Sequence, residues 1–121
     1  MKEDDHMIKE IYRGEIYLVD FKIEMGSEQH GMRPALIIQN DIGNHYSSTT
    51  IIALISSHVK KKCNLPTHIL IKARDNLPKE SVVLLEQIRT IDKERLRKRL
   101  SQLTNKEMSD IKRGLEVSLE L

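Results

Sequence analysis

The sequence predicts a mainly β protein: a small, strongly bent antiparallel sheet or half-open barrel, covered by one C-terminal helix. Three observations carry this. Five segments of strand length alternate in polarity or run in β-branched residues. A helical repeat of apolar positions occurs only once, at the end of the chain. No strand–helix–strand rhythm or internal repeat interrupts that order. With 121 residues there is room for one domain with a real core, and not for two.

The elements follow in order. Residues 1–12, beginning MKEDDHMIKE, are polar and mixed in charge, and are expected to form a frayed arm. The domain then runs from 13 to 121. RGEIYLVD, Arg13 to Asp20, alternates and reads as a strand. Asp20 to Met32 is a long connection bracketed by Gly26 and Gly31. Pro34 to Asn40 is almost continuously apolar, as a buried strand would be. NDIGNHYSS, Asn40 to Ser48, is turn-rich with room for one helical turn. TTIIALIS, Thr49 to Ser56, reads as a second core strand, followed by a basic loop around Lys60, Lys61 and Lys62. Thr67 to Lys72 alternates, and Glu80 to Ile91 is a long strand that turns polar halfway. Asp92 to Arg99 carries five cations and reads as a solvated face. Thr104-x-x-Glu107 is a capping box before Met108, Ile111, Leu115 and Leu119, the stripe of an amphipathic helix. Gly114 within it costs about 1 kcal/mol against alanine, so this helix depends on packing.

Composition narrows the functions. Charged residues at 31% and the hydrophobic class at 39% describe a globular protein with polar surfaces. No run of 18 apolar residues exists to span a membrane, and the N-terminus has no apolar leader core. Cys63 is the sole cysteine, so an intrachain disulfide is impossible and a reducing cytoplasm is the expected compartment. The histidines at 6, 30, 45, 58 and 68 show no metal-ligand spacing, so neither metal nor cofactor is expected. A net charge of +2 neither requires nor forbids a nucleic-acid partner. Aromatic residues at 3% leave little for a base-stacking platform, so any RNA contact would rest on hydrogen bonds and arginine.

A few residues are placed where chemistry could occur. Pro34 fixes its own φ and presses Arg33 into an extended conformation at a strand mouth. Arg33 there either closes a salt bridge or presents five donors to what the Gly26–Met32 loop encloses. Ser56 ends a core strand; its hydroxyl either bonds local backbone or serves a site. Glu86 and Gln87 interrupt VVLLEQIRTI, where a polar pair either reaches the rim or lines a site. His68 opens a strand as a structural hydrogen-bonded histidine or a base.

Taken together, RGEIYLVD, GSEQHGMRPALIIQNDIGN, LPTH and VVLLEQIRTIDKERL resemble the MazF/PemK family of toxins from bacterial toxin–antitoxin pairs, in its Gram-positive form. The resemblance runs from Arg13 to Leu119 in consistent order. It implies an SH3-like half-open β-barrel, a homodimer, sequence-specific and metal-independent cleavage of single-stranded RNA in the cytoplasm, and relief by an acidic, partly disordered antitoxin. It places the catalytic arginine at Arg33 and the catalytic hydroxyl at Ser56. It places substrate contacts at Ser27, Glu28 and Gln29 in the loop, and at Asn40, Leu65, Pro66, His68 and Gln87 around the groove. Ser56 stands where threonine is usual and His30 where glycine is usual, and these departures bear on which RNA sequence is read.

The implied mechanism is in-line attack of a 2′-hydroxyl on the adjacent phosphate, leaving 2′,3′-cyclic phosphate and 5′-hydroxyl ends. Arg33 would meet the growing phosphoryl charge and Ser56 would add a neutral donor. An arginine of lowered pKa, a water or His68 would take the 2′-proton. Two other readings stand beside this one. A gyrase-binding toxin of the same fold relies on a C-terminal tryptophan, and this chain has none. An SH3-like peptide-binding module needs an exposed aromatic groove, for which one phenylalanine and three tyrosines are little material.

Overall fold

The structure, a computed structural model, describes residues 10–21, 31–59 and 65–121. Six strands form one antiparallel sheet: β1 (Glu15–Asp20), β2 (Met32–Ile37), β3 (Thr49–Ser56), β4 (His68–Ile71), β5 (Ser81–Asp92) and β6 (Leu96–Gln102). Their order across the sheet is β4-β5-β3-β2-β1-β6. A six-residue helix, α1 (Asp41–Tyr46), joins β2 to β3, and α2 (Asn105–Leu119) ends the chain.

Alternation explains the core. Ile16, Leu36, Ala53, Ile55, Val83 and Leu85 point to one face, where α2 covers them with Ile111 and Leu115. Tyr17, Val19, Ala35, Ile37, Ile52 and Ile91 point to the other, where they bury Phe21. From Ala35 onward β2 is buried on both faces, as is the middle of β3, which is why these stretches read as apolar runs. Ile11, assigned by sequence to the N-terminal arm, is only 3% exposed and joins the second cluster.

One strand corrects the sequence reading. Leu96 to Gln102, whose first half reads in the sequence as part of a solvated basic face with no strand predicted, forms β6, paired along β1 from Glu15↔Gln102 to Val19↔Leu96. Its cations do point outward, as a solvated face would. Arg97 meets Asp20 at 3.1 Å and Arg99 meets Glu15 at 2.8 Å, both carboxylates on β1. Lys93 departs from that reading, since it is 7% exposed and its Nζ donates to the Asn44 carbonyl of α1. Burial lowers its pKa.

Helix α2 begins as the capping box requires. Thr104 Oγ1 accepts from Glu107 N at 3.1 Å, and Glu107 Oε1 accepts from Thr104 N at 2.9 Å. The stripe departs from its spacing at two positions. Leu119 is 54% exposed, while Gly114 is buried against the sheet. A Cβ at Gly114 would lie 2.4 Å from Leu85 Cδ1, so glycine there lets the helix approach the sheet.

Candidate active site

The geometry of the site starts from Pro34. The β2–β3 ladder runs Ile37↔Ile52, Leu36↔Ala53, Ala35↔Leu54 and stops. The next residue of β2 is Pro34, which has no N–H to continue it. The same register carried two residues further would set Arg33 opposite Ser56, and both line one cleft. Alternation puts both on the face that carries Ala35, Ile37, Ile52 and Leu54. On its other side Arg33 is held by pairing with Val19 of β1. Gly31, at φ +76, makes the left-handed turn that delivers the chain into β2.

Where the ladder has ended, a cleft of about 360 Å³ opens. Arg33 and Pro34 line one side, Ile55, Ser56 and His58 another, and Lys79 lies in the connection between β4 and β5. No carboxylate lines it among the described residues. Arg33 is exposed and forms no ion pair among them. Ser56 is 6% exposed, and its Oγ accepts from His58 N at 3.0 Å. That bond uses a lone pair and leaves the hydroxyl proton free to donate. Among the described residues the cleft therefore offers a planar cation, a hydroxyl donor, a flexible ammonium and an imidazole, without a competing negative charge. Such a set fits a phosphodiester.

The other residues assigned from sequence lie elsewhere. Asn40 caps α1, its side chain accepting from Gly43 N at 2.8 Å, at the opposite end of β2 from Arg33. Pro66 and His68 line a second groove of about 420 Å³, between β4 and α2. Leu65 is exposed just before β4. Gln87 is exposed at a register shift in β5, where Ala53↔Ile88 gives way to Leu54↔Leu84. Ser27, Glu28 and Gln29, with His30 and Cys63, lie outside the described residues.

Glu86 has a role the sequence reading did not assign. Its Oε1 accepts from Thr67 Oγ1 at 2.9 Å, and its Oε2 lies 2.8 Å from His68 Nε2. Burial pushes the Glu86 carboxyl up, but the hydrogen bonds from His68, from backbone and from Thr67 outweigh it and hold it below the usual range. The His68 Nδ1 is buried without a hydrogen-bond partner. His68 is thus committed to Glu86, outside the Arg33 cleft. The polar interruption in VVLLEQIRTI was the one sequence signal for this pair. Among the described residues, no three His, Cys, Asp or Glu side chains gather as a metal group would require.

A family profile described as PemK-like, MazF-like toxin of type II toxin–antitoxin system matches residues 12–119. The chain belongs to this family. A relative named Endoribonuclease MazF, from Staphylococcus saprophyticus, is 48% identical over 110 residues, 90% of this chain and 91% of that protein. The PemK/MazF fold is matched by solved structures as well. An endoribonuclease from a mycobacterial species superposes with a TM-score of 0.76 at 22% identity, covering 94% of this chain and 95% of that one. A mycobacterial endoribonuclease in complex with its cognate antitoxin also gives 0.76, at 23% identity, over 92% and 96% of the two chains. Among the described residues, no helix is long and apolar enough to cross a membrane.

Proposed function

We propose that this chain is the toxin of a type II toxin–antitoxin pair and acts as a sequence-specific, metal-independent endoribonuclease on single-stranded RNA. The observation that carries the reading is the cleft in which Arg33 and Ser56 meet with no carboxylate in the described lining. The 2′-oxygen attacks the adjacent phosphorus and the 5′-oxygen leaves, giving a 2′,3′-cyclic phosphate and a 5′-hydroxyl. Arg33 stabilises the charge that grows on the phosphoryl oxygens, and the Ser56 hydroxyl orients the same group. Because arginine supplies a fixed positive charge, the phosphoryl group is stabilised without a metal. The name of the Staphylococcus saprophyticus relative supports the same activity.

Residues 13–121, with Ile11 packed into their core, constitute the toxin unit, working in the cytoplasm as a homodimer. Strand β4 is an edge of the sheet, and around it Leu65, Leu70 and Val117 remain 50–56% exposed, an apolar margin that a second copy would cover. Ser27, Glu28 and Gln29 with Asn40, Leu65, Pro66, His68 and Gln87 extend substrate contact beyond the cleft. An acidic antitoxin segment relieves toxicity by occupying the same surface.

Incubation of purified protein with mixed-sequence RNA in EDTA, followed by end mapping, tests the reading. Cleavage at a recurring sequence with cyclic-phosphate ends is expected. Strict dependence on Mg²⁺ would sink the mechanism.

A further inference from the structure

We propose that His58 accepts the 2′-hydroxyl proton, an assignment that rests on the ribonuclease reading of the same cleft. The reaction needs a group that can hold a proton briefly near neutral pH. Arginine and lysine stay protonated there, and a serine hydroxyl does not ionise. Imidazole is the side chain that ordinarily titrates in that range. Among the described lining residues the cleft contains one, and it belongs to His58.

Its position follows from the end of β3. Ser56 Oγ accepts the His58 backbone N–H at 3.0 Å, which ties the residue back beside the hydroxyl it follows. His58 is exposed, so its ring is open to an incoming strand. The charged groups that line the cleft with it are Arg33 from β2 and Lys79 from the connection before β5. Among the described residues no carboxylate lines the cleft to rival the ring as proton acceptor. His68, the other histidine near the groove residues, is held by Glu86 instead.

The step balances simply. An imidazole nitrogen of His58 takes the 2′-proton as the 2′-oxygen bonds phosphorus. The bond from phosphorus to the 5′-oxygen breaks, and that oxygen takes a proton from water in the open cleft. Arg33 and Ser56 hold the phosphate in line throughout.

The test compares wild type, His58→Ala and His58→Gln in single-turnover cleavage across pH. The expected loss is on the order of 10²-fold or more in rate, with KM changed by less than a few-fold. The acidic limb of the pH profile should vanish in both variants, and added imidazole should restore part of the His58→Ala rate. Affinity for a non-cleavable RNA carrying a 2′-deoxy residue at the cut site should stay as in wild type. A His58→Ala protein that cleaves at the wild-type rate with an intact acidic limb overturns the assignment and leaves the ribonuclease reading standing. Wild-type protein that leaves RNA intact at every pH overturns both.

Discussion

A planar guanidinium meets two phosphoryl oxygens at once, whereas an ammonium meets them as a point charge. Arg33→Ala should therefore lose on the order of 10² to 10³ in cleavage rate, and Arg33→Lys should fail with it. Arg33 is exposed and unpaired among the described residues, so neither change should lower the melting temperature. A full-rate Arg33→Lys variant would show that only charge is needed. Ser56 differs because it is also structural. Ser56→Ala should lose cleavage by a similar factor, and about 0.5–1.5 kcal/mol of stability with the bond from His58 N. Ser56→Thr should keep both, since it keeps the hydroxyl. Parallel rate and unfolding measurements separate the two effects. The extended backbone of Arg33 was legible from sequence because Pro34 dictates it. Ser56 was named beside it only through the family resemblance, because the β2–β3 register that brings the two to one cleft is announced by no local pattern. His58 and Lys79 reach the cleft from loops, and a loop's course is set by what it packs on rather than by its own residues.

Among the elements, strands with a buried stripe were readable and the basic edge strand β6 was not. β1 alternates because one face meets each core cluster, and β3 and the first half of β5 run apolar because both their faces are buried. β6 carries Arg97, Lys98 and Arg99 in succession and finds its stability in backbone pairing and in the β1 carboxylates, neither of which leaves a periodic mark. Helix α2 was legible at its cap, but what holds it down was not. Arg74, from the connection between β4 and β5, grips Glu107 with two bonds, Nη1 to Oε1 at 2.9 Å and Nη2 to Oε2 at 2.5 Å. The Arg74 bond is the largest influence in bringing the Glu107 pKa from 4.5 to about 2. A lowered carboxylate contributes stability above its unfolded pKa and loses it as pH falls through the folded one. Glu107→Gln should thus cost about 1–2 kcal/mol at pH 7, after allowance for solvent screening. The gap to wild type should narrow between pH 4.5 and about 2. A gap that stays constant over that range would mean the ion pair contributes nothing. Gly114→Ala tests the same helix from its other side. Its propensity gain of about 1 kcal/mol should be outweighed by the clash with Leu85, leaving a net loss in urea unfolding of about 1–2 kcal/mol.

For the whole molecule, the prediction concerns exclusion. If the antitoxin segment occupies the groove near Arg33, Leu65 and Gln87, it must fold as it binds and cannot share that surface with RNA. Antitoxin affinity should then fall in proportion as a non-cleavable RNA is raised past its Kd. An affinity unchanged by saturating RNA would place the antitoxin elsewhere and make inhibition allosteric. The pairing of β1 with β6 has a separate consequence, for the protein while it is being made. Glu15 waits for Gln102, so the first strand leaves the ribosome long before its outer neighbour exists. At ~5–20 residues per second the delay is on the order of ten seconds. Through that interval one margin of β1 stays open, and α2, which comes later still, cannot yet cover its face of the sheet. A nascent toxin therefore lacks its finished sheet until residue 102 has emerged. An antitoxin translated just ahead of it would already be waiting when the last strand pairs.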